Sequence, residues 1–152
     1  MRYEHLVQIN DLERSELPLL ERSQLWLGLV ARAERPELFD ATIDATLLLQ
    51  RNQHSLQRTC RRASLTTLES VRLVPEESIE VTVGGRSGFA GSVMTIRIEE
   101  PAPRALFLRF VYALAGPDVP TDEAERHALR QAYYFANLET TRRIRALAPA
   151  VL

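Results

Sequence analysis

Between Asp44 and Leu114 the residues alternate with a period of two. The runs are cut only by short polar breaks at Asn52-Gln53, Ala63-Ser64, Pro75-Glu76-Glu77, Gly84 to Gly91 and Pro101 to Pro103. The pattern predicts six strands in meander order. Strands joined by links this short run antiparallel, since a parallel crossover takes roughly a dozen residues or more. Such a sheet has a face to cover, and only helices remain to cover it.

Two segments supply them. From about Glu21 to Glu34, Leu25, Leu29 and Ala33, with Trp26 and Val30, recur at helical spacing. Arg35-Pro36 ends that helix, because a residue before proline is pushed out of the α region. Gly28 weakens it relative to alanine and leaves room for close packing. After Gly116-Pro117, Thr121, or Asp122 with Glu125 beyond it, caps a second helix that runs to about Leu147, ahead of Pro149. Tyr3 to Ile9 reads as a first strand with Tyr3, His5, Val7 and Ile9 on one face, and the polar stretch Asn10 to Pro18 breaks it. The order is strand, helix, six strands, long helix. This is an α+β chain without internal repeat, low-complexity tract or linker, expected to form one domain over residues 1–152.

Composition narrows the classes of function. Apolar residues at 45% and charged residues at 26% are a globular balance rather than a disordered or coiled-coil one. A formal net charge of −1 gives no global field to gather nucleic acid. The single cysteine, Cys60, cannot form an internal disulfide, which suits a reducing compartment. No stretch approaches the ~18 apolar residues of a bilayer span. The alternating N-terminus lacks the apolar run of a secretory signal, so a cytoplasmic location is expected.

Hairpin registers follow from asking which pairing sets apolar against apolar. Across Pro101 to Pro103, setting Ile98 opposite Leu106 brings Ile96 to Leu108 and Met94 to Phe110, with Tyr112 on the same, covered face. Around Pro75, Val71 and Leu73 join Ile79, Val81 and Val83, and Glu69 lands on the inward face. Around Asn52-Gln53, Leu47 and Leu49 group with Leu56, Arg58 and Cys60. A two-residue turn at Ala63-Ser64 then places Arg58 directly opposite Glu69, an ion pair pointing toward the covered side. On the last helix, at about 100° per residue, Ala128, Leu129, Ala132, Phe135, Ala136 and Leu147 form an apolar arc. Arg126, His127, Arg130, Asn137 and Arg145 fill the opposite arc. Glu139 falls within the apolar arc. A carboxylate there either pairs with an arginine at the helix–sheet junction or faces a hydrated cavity, because burying it alone is costly.

Other motifs are weaker. The segment Gly84-Gly85-Arg86-Ser87-Gly88-Phe89-Ala90-Gly91 has neither the G-x-G-x-x-G spacing nor a G-K-[ST] ending, and it joins two strands, so it reads as a hairpin loop. His5, His54, His127 and Cys60 show no ligand-pair spacing, and no metal or other cofactor is implied. Cys60 lacks a nucleophile signature and reads as a small strand residue. Strand alternation splits Arg58, Arg61 and Arg62 between two faces, without the interleaved aromatics of a nucleic-acid platform.

Several segments resemble a known family. Tyr3-Glu4-His5-Leu6-Val7-Gln8-Ile9-Asn10, Gln24-Leu25-Trp26-Leu27-Gly28-Leu29-Val30 and Ala33-Glu34-Arg35-Pro36 are similar to the AtaL-like proteins of bacteria and fungi. So are Met94-Thr95-Ile96, Glu99-Glu100-Pro101, Gln131-Ala132-Tyr133 and Glu139-Thr140. That family belongs to the START and birch-pollen-allergen-like (SRPBCC) superfamily. The resemblance implies the helix-grip fold: seven antiparallel strands, the first returning to join the sheet, wrapped around a long C-terminal helix and enclosing an apolar cavity. It also implies relatives that bind lipids, steroids or polyketides, and some that are cyclases or dehydratases.

The leading expectation is a monomer or homodimer that binds a small hydrophobic molecule. Glu139, Tyr112, Phe110, Met94, Ile96, Arg58, Glu69, Tyr133 and Phe135 are the candidate ligand contacts. The alternative is a cofactor-independent cyclase, dehydratase or isomerase with Glu139 as acid/base and Tyr112 or Tyr133 assisting. A third reading, a pocketless interaction module, predicts a filled interior and an exposed apolar patch near Trp26.

Overall fold

The computed structural model describes residues 1–14, 16–84, 91–114 and 119–148. The glycine-rich tip at 85–90 lies outside the described residues. The elements are β1 (Arg2–Gln8), α1 (Arg22–Glu34), a 3-10 turn (Pro36–Leu38), β2 (Ala45–Arg51), β3 (Ser55–Arg62), β4 (Leu65–Val74), β5 (Ser78–Val83), β6 (Ser92–Glu99), β7 (Phe107–Leu114) and α2 (Glu123–Leu147). The strands form one antiparallel seven-stranded sheet in the order β1-β7-β6-β5-β4-β3-β2. The helix-grip arrangement is therefore present, with β1 closing the sheet against β7 through Tyr3–Tyr112, His5–Phe110 and Val7–Leu108. No helix among the described residues is long and apolar enough to cross a membrane.

Register is set by the turns. Ala63 takes a left-handed φ of 55°, closing β3 onto β4 in two residues and bringing Arg58 opposite Glu69 as the turn chemistry predicts. Around Pro75, Val71 faces Val81 and Leu73 faces Ile79, also as expected. The β6–β7 register differs by two residues: Ile98 faces Leu108, Ile96 faces Phe110 and Met94 faces Tyr112. Leu106 stands outside the ladder because its carbonyl accepts from Ile9 and Asn10, tying the loop to the end of β1. A shift of two preserves every side-chain face. In β2 the expectation fails. A bulge at Leu49 breaks the alternation, Arg51 rather than Leu49 comes to face Leu56, and Leu47, Leu48 and Leu49 are exposed on the sheet's edge.

Helix α1 starts with a capping box between Glu21 and Gln24, and Arg35-Pro36 stops it where the sequence places its end. It buries Leu25, Leu29 and Ala33. A Cβ built on Gly28 lies 2.6 Å from Ile144 Cγ2, so the glycine permits the close crossing of α1 over α2. Asp122 caps α2 by accepting from the Ala124 N–H.

The inward stripe of α2 is not the arc predicted. Asn137, Thr140, Ile144 and Ala148 are buried, and Tyr133 packs against the core, whereas Phe135 is 63% exposed. Ala128 and Ala132 are exposed too, and Ala136 borders the space beneath the helix. The predicted arc is rotated from the true stripe: Ala136 and Leu147 are shared with it, whereas the exposed alanines drew the helical wheel away from Asn137, Thr140 and Ile144.

A candidate ligand cavity

A cavity of about 570 Å³ lies between α2, the end of α1 and the concave face of the sheet. Its apolar wall includes Ile43, Leu65, Val81, Val83, Val93, Met94 and Leu114, with Tyr112 and Tyr133 on the α2 side. Its polar wall is a charged cluster around the Arg58–Glu69 pair.

The cluster is built from neighbouring strands. Arg58 Nε and Nη2 both donate to Glu69 Oε1, at 3.0 and 2.8 Å, and both side chains are 4% exposed. Arg58 Nη1 donates to the Ala33 carbonyl at 2.5 Å, satisfying one of the acceptors left open at the end of α1. Glu69 Oε2 accepts from Thr67 Oγ1 at 2.9 Å and lies 3.8 Å from Arg62. Arg62 in turn reaches Asp40 at 3.2 Å. Burial opposes the charge on Asp40, but hydrogen bonds from Thr42 and Arg62 outweigh it and hold its carboxyl below the usual range.

Arg32, on the last turn of α1, also lines the cavity. Among the described residues its one hydrogen bond is long, from Nε to Thr140 Oγ1 at 3.4 Å, and it has no ion pair. Burial pulls the pKa of this guanidinium down, opposed in part by Tyr112, Asp40 and Glu69.

The α2 side is aromatic. The rings of Tyr112 and Tyr133 stack 3.9 Å apart at 8°, and Tyr3 extends the tier. Tyr112 donates its O–H to Asn137 Oδ1 at 2.9 Å, and Asn137 Nδ2 lies 3.1 Å from His5 Nε2. With its amide N–H directed at Nε2, the ring carries its proton on Nδ1, which is buried without a partner. Burial lowers the His5 pKa, favouring the neutral ring. Tyr112 thus commits its proton to Asn137 and offers the cavity its oxygen lone pairs.

Burial raises the Tyr112 pKa from 10.0 to about 12. The folded state therefore keeps this proton after the unfolded state has lost it. The associated stability is complete below pH 10 and falls away as the pH rises toward 12. A spectroscopic titration should show a tyrosinate appearing near pH 12 that is absent in Tyr112→Phe; the same phase persisting in that variant assigns it to another ring.

The candidate contacts divide. Arg58, Glu69, Met94, Tyr112 and Tyr133 line the cavity. Ile96 and Phe110 do not; each is wholly buried in the packed core. Phe135 points outward. Glu139 is also outside the lining, since it is 37% exposed and bound by Arg142 at 2.7 Å and Arg143 at 3.2 Å on its own helix. Glu139 therefore pairs with arginines, but along the surface of α2 and not at the helix–sheet junction that the sequence reading placed them in. Arg32, Asn137, Asp40 and Arg62 were not foreseen. Arg32 had a signal: it follows Leu25 by seven residues, Gly28 by four and Leu29 by three, a charge on the buried stripe of α1.

Residues 6–150 match the family described as AtaL, acetylaranotin biosynthesis cluster protein L. The chain belongs to that family. No curated protein sequence matches it. Among solved structures it is similar to the di-domain ARO/CYC StfQ from the steffimycin biosynthetic pathway, at 12% identity and a TM-score of 0.72, covering 98% of this chain and 51% of StfQ. It thus spans about half the length of that protein. The Zhui aromatase/cyclase from Streptomyces sp. R1128 matches at 12% identity and TM-score 0.68, covering 98% of this chain and 93% of the other. Ara h 8.0201 matches at 10% identity and TM-score 0.63, covering 95% and 97%. At these identities the likeness establishes the shared helix-grip fold.

Proposed function

We propose that this chain binds a small, mostly apolar molecule with a polar handle in the cavity beneath α2. The observation that carries the reading is the cavity itself. Its volume of about 570 Å³ falls among those of small-molecule sites, and a few convergent polar groups interrupt an otherwise apolar wall. Native mass spectrometry of protein purified from its own host tests it. A retained mass of small-molecule size is expected, lost when Met94→Trp fills the cavity. No retained ligand, with no rise in melting temperature across a set of host metabolites, overturns the reading.

The chain of Tyr112, Asn137 and His5 supports a second reading, that of a cyclase, dehydratase or isomerase. Two of the similar structures are named aromatase/cyclases. Glu139 is turned away, so the group left to assist is the Tyr112 hydroxyl, which stays protonated at neutral pH and, with its proton held by Asn137, assists as a hydrogen-bond acceptor. Turnover of a polyketide-like substrate that disappears in Tyr112→Phe, with binding retained, favours this reading over simple binding.

A further inference from the structure

We propose that Arg32 anchors the carboxylate of an aromatic acid, which makes the ligand of this cavity an anion. The inference rests on the cavity-binding reading and specifies its ligand.

Elimination carries the argument. Three guanidiniums, Arg32, Arg58 and Arg62, and two carboxylates, Asp40 and Glu69, line the cavity, leaving one positive charge over. Each nitrogen of Arg58 already donates, Nε and Nη2 to Glu69 and Nη1 to the Ala33 carbonyl. Arg62 is held by Asp40, with Glu69 at 3.8 Å. Glu69 has no free oxygen, because Arg58 occupies one and Thr67 the other. Arg32 is the remaining cation. Its terminal nitrogens make no hydrogen bond to a protein acceptor among the described residues, and Nε makes only the 3.4 Å contact with Thr140.

A guanidinium stays protonated at neutral pH, so Arg32 cannot escape the cost of its position by discharging. It is half-buried on the last turn of α1, beside buried Leu29 and Ala33, and it lines the cavity. Its planar fork of N–H groups matches a carboxylate in bidentate geometry. The flat Tyr112–Tyr133 stack lies on the same cavity and suits a ring system. The Tyr112 oxygen, an acceptor here, leaves the anion to Arg32 and suits a hydroxyl on the ligand.

The test compares 2-naphthoate with its neutral isostere 2-naphthamide by isothermal titration calorimetry on the full chain at pH 7. Wild type should bind the carboxylate about 10- to 100-fold more tightly, as expected for hydrogen bonds to a charged partner. Arg32→Gln should remove that preference while leaving the affinity for the amide unchanged. Arg32→Lys should restore part of it. Equal affinities in wild type overturn the assignment, as does a preference that survives in Arg32→Gln, and as does failure of both probes to bind. The wild-type comparison stands even if a variant fails to fold. The cavity reading falls separately, on the absence of any retained mass in native protein.

Discussion

Replacing Glu69 by leucine while keeping Arg58 is expected to cost about 3–5 kcal/mol, the range for removing one partner of a buried ion pair. The loss is large because Arg58 is 4% exposed and cannot shed its proton. It keeps only the Ala33 carbonyl as a close acceptor. Urea denaturation reads the result as a lowered midpoint with little change in slope. The double variant Arg58→Met/Glu69→Leu should recover most of the loss, since an apolar pair of similar volume no longer strands a charge. If the single variant lies within about 1 kcal/mol of wild type, the pair is hydrated in solution and gains little from its protein partners.

Asn10→Ala is the second large effect. Asn10 is 1% exposed and its side chain makes three hydrogen bonds: Nδ2 to the carbonyls of Leu20 and Arg104 at 2.8 and 2.9 Å, and Oδ1 from the Leu20 N–H at 2.9 Å. It fastens the end of β1 both to the lead-in of α1 and to the β6–β7 loop. Truncation leaves these backbone groups unpaired in a dry place, at about 1–3 kcal/mol for each that water cannot reach. A total of about 3 kcal/mol or more is expected by urea denaturation. Asn10→Asp keeps the acceptor but turns a carboxylate toward two carbonyls, and should be at least as damaging. A loss in Asn10→Ala below about 1 kcal/mol would mean that water replaces the amide without penalty.

The faces of the central strands were legible because a period of two separates inside from outside whatever the exact pairing. Ile98 thus keeps its side although its partner is Leu108 and not Leu106. The Arg58–Glu69 pair was legible because a two-residue turn leaves the register no freedom. The bulge at Leu49 was not, since an edge strand with exposed leucines carries no pattern that marks an extra residue. The last helix misled for a physical reason. A helical wheel assumes that the buried face is the apolar one, but α2 carries Asn137 and Thr140 inward, while Ala128 and Ala132 are exposed and Ala136 lines the cavity. Arg32 was missed because α1 passed as an ordinary amphipathic helix, although its charge on the buried stripe is the same kind of anomaly that drew attention to Glu139. The closure of β1 on β7 joins opposite ends of the sequence, which no local pattern encodes.

The cavity beneath α2 has a thermodynamic consequence. An occupant that fits adds dispersion contacts to the cavity walls. Folding and occupancy then become one linked equilibrium, with about 2.7 kcal/mol added when free ligand reaches a hundred times its dissociation constant. On the binding reading proposed above, the lifetime of the folded chain in the cell tracks the supply of its ligand.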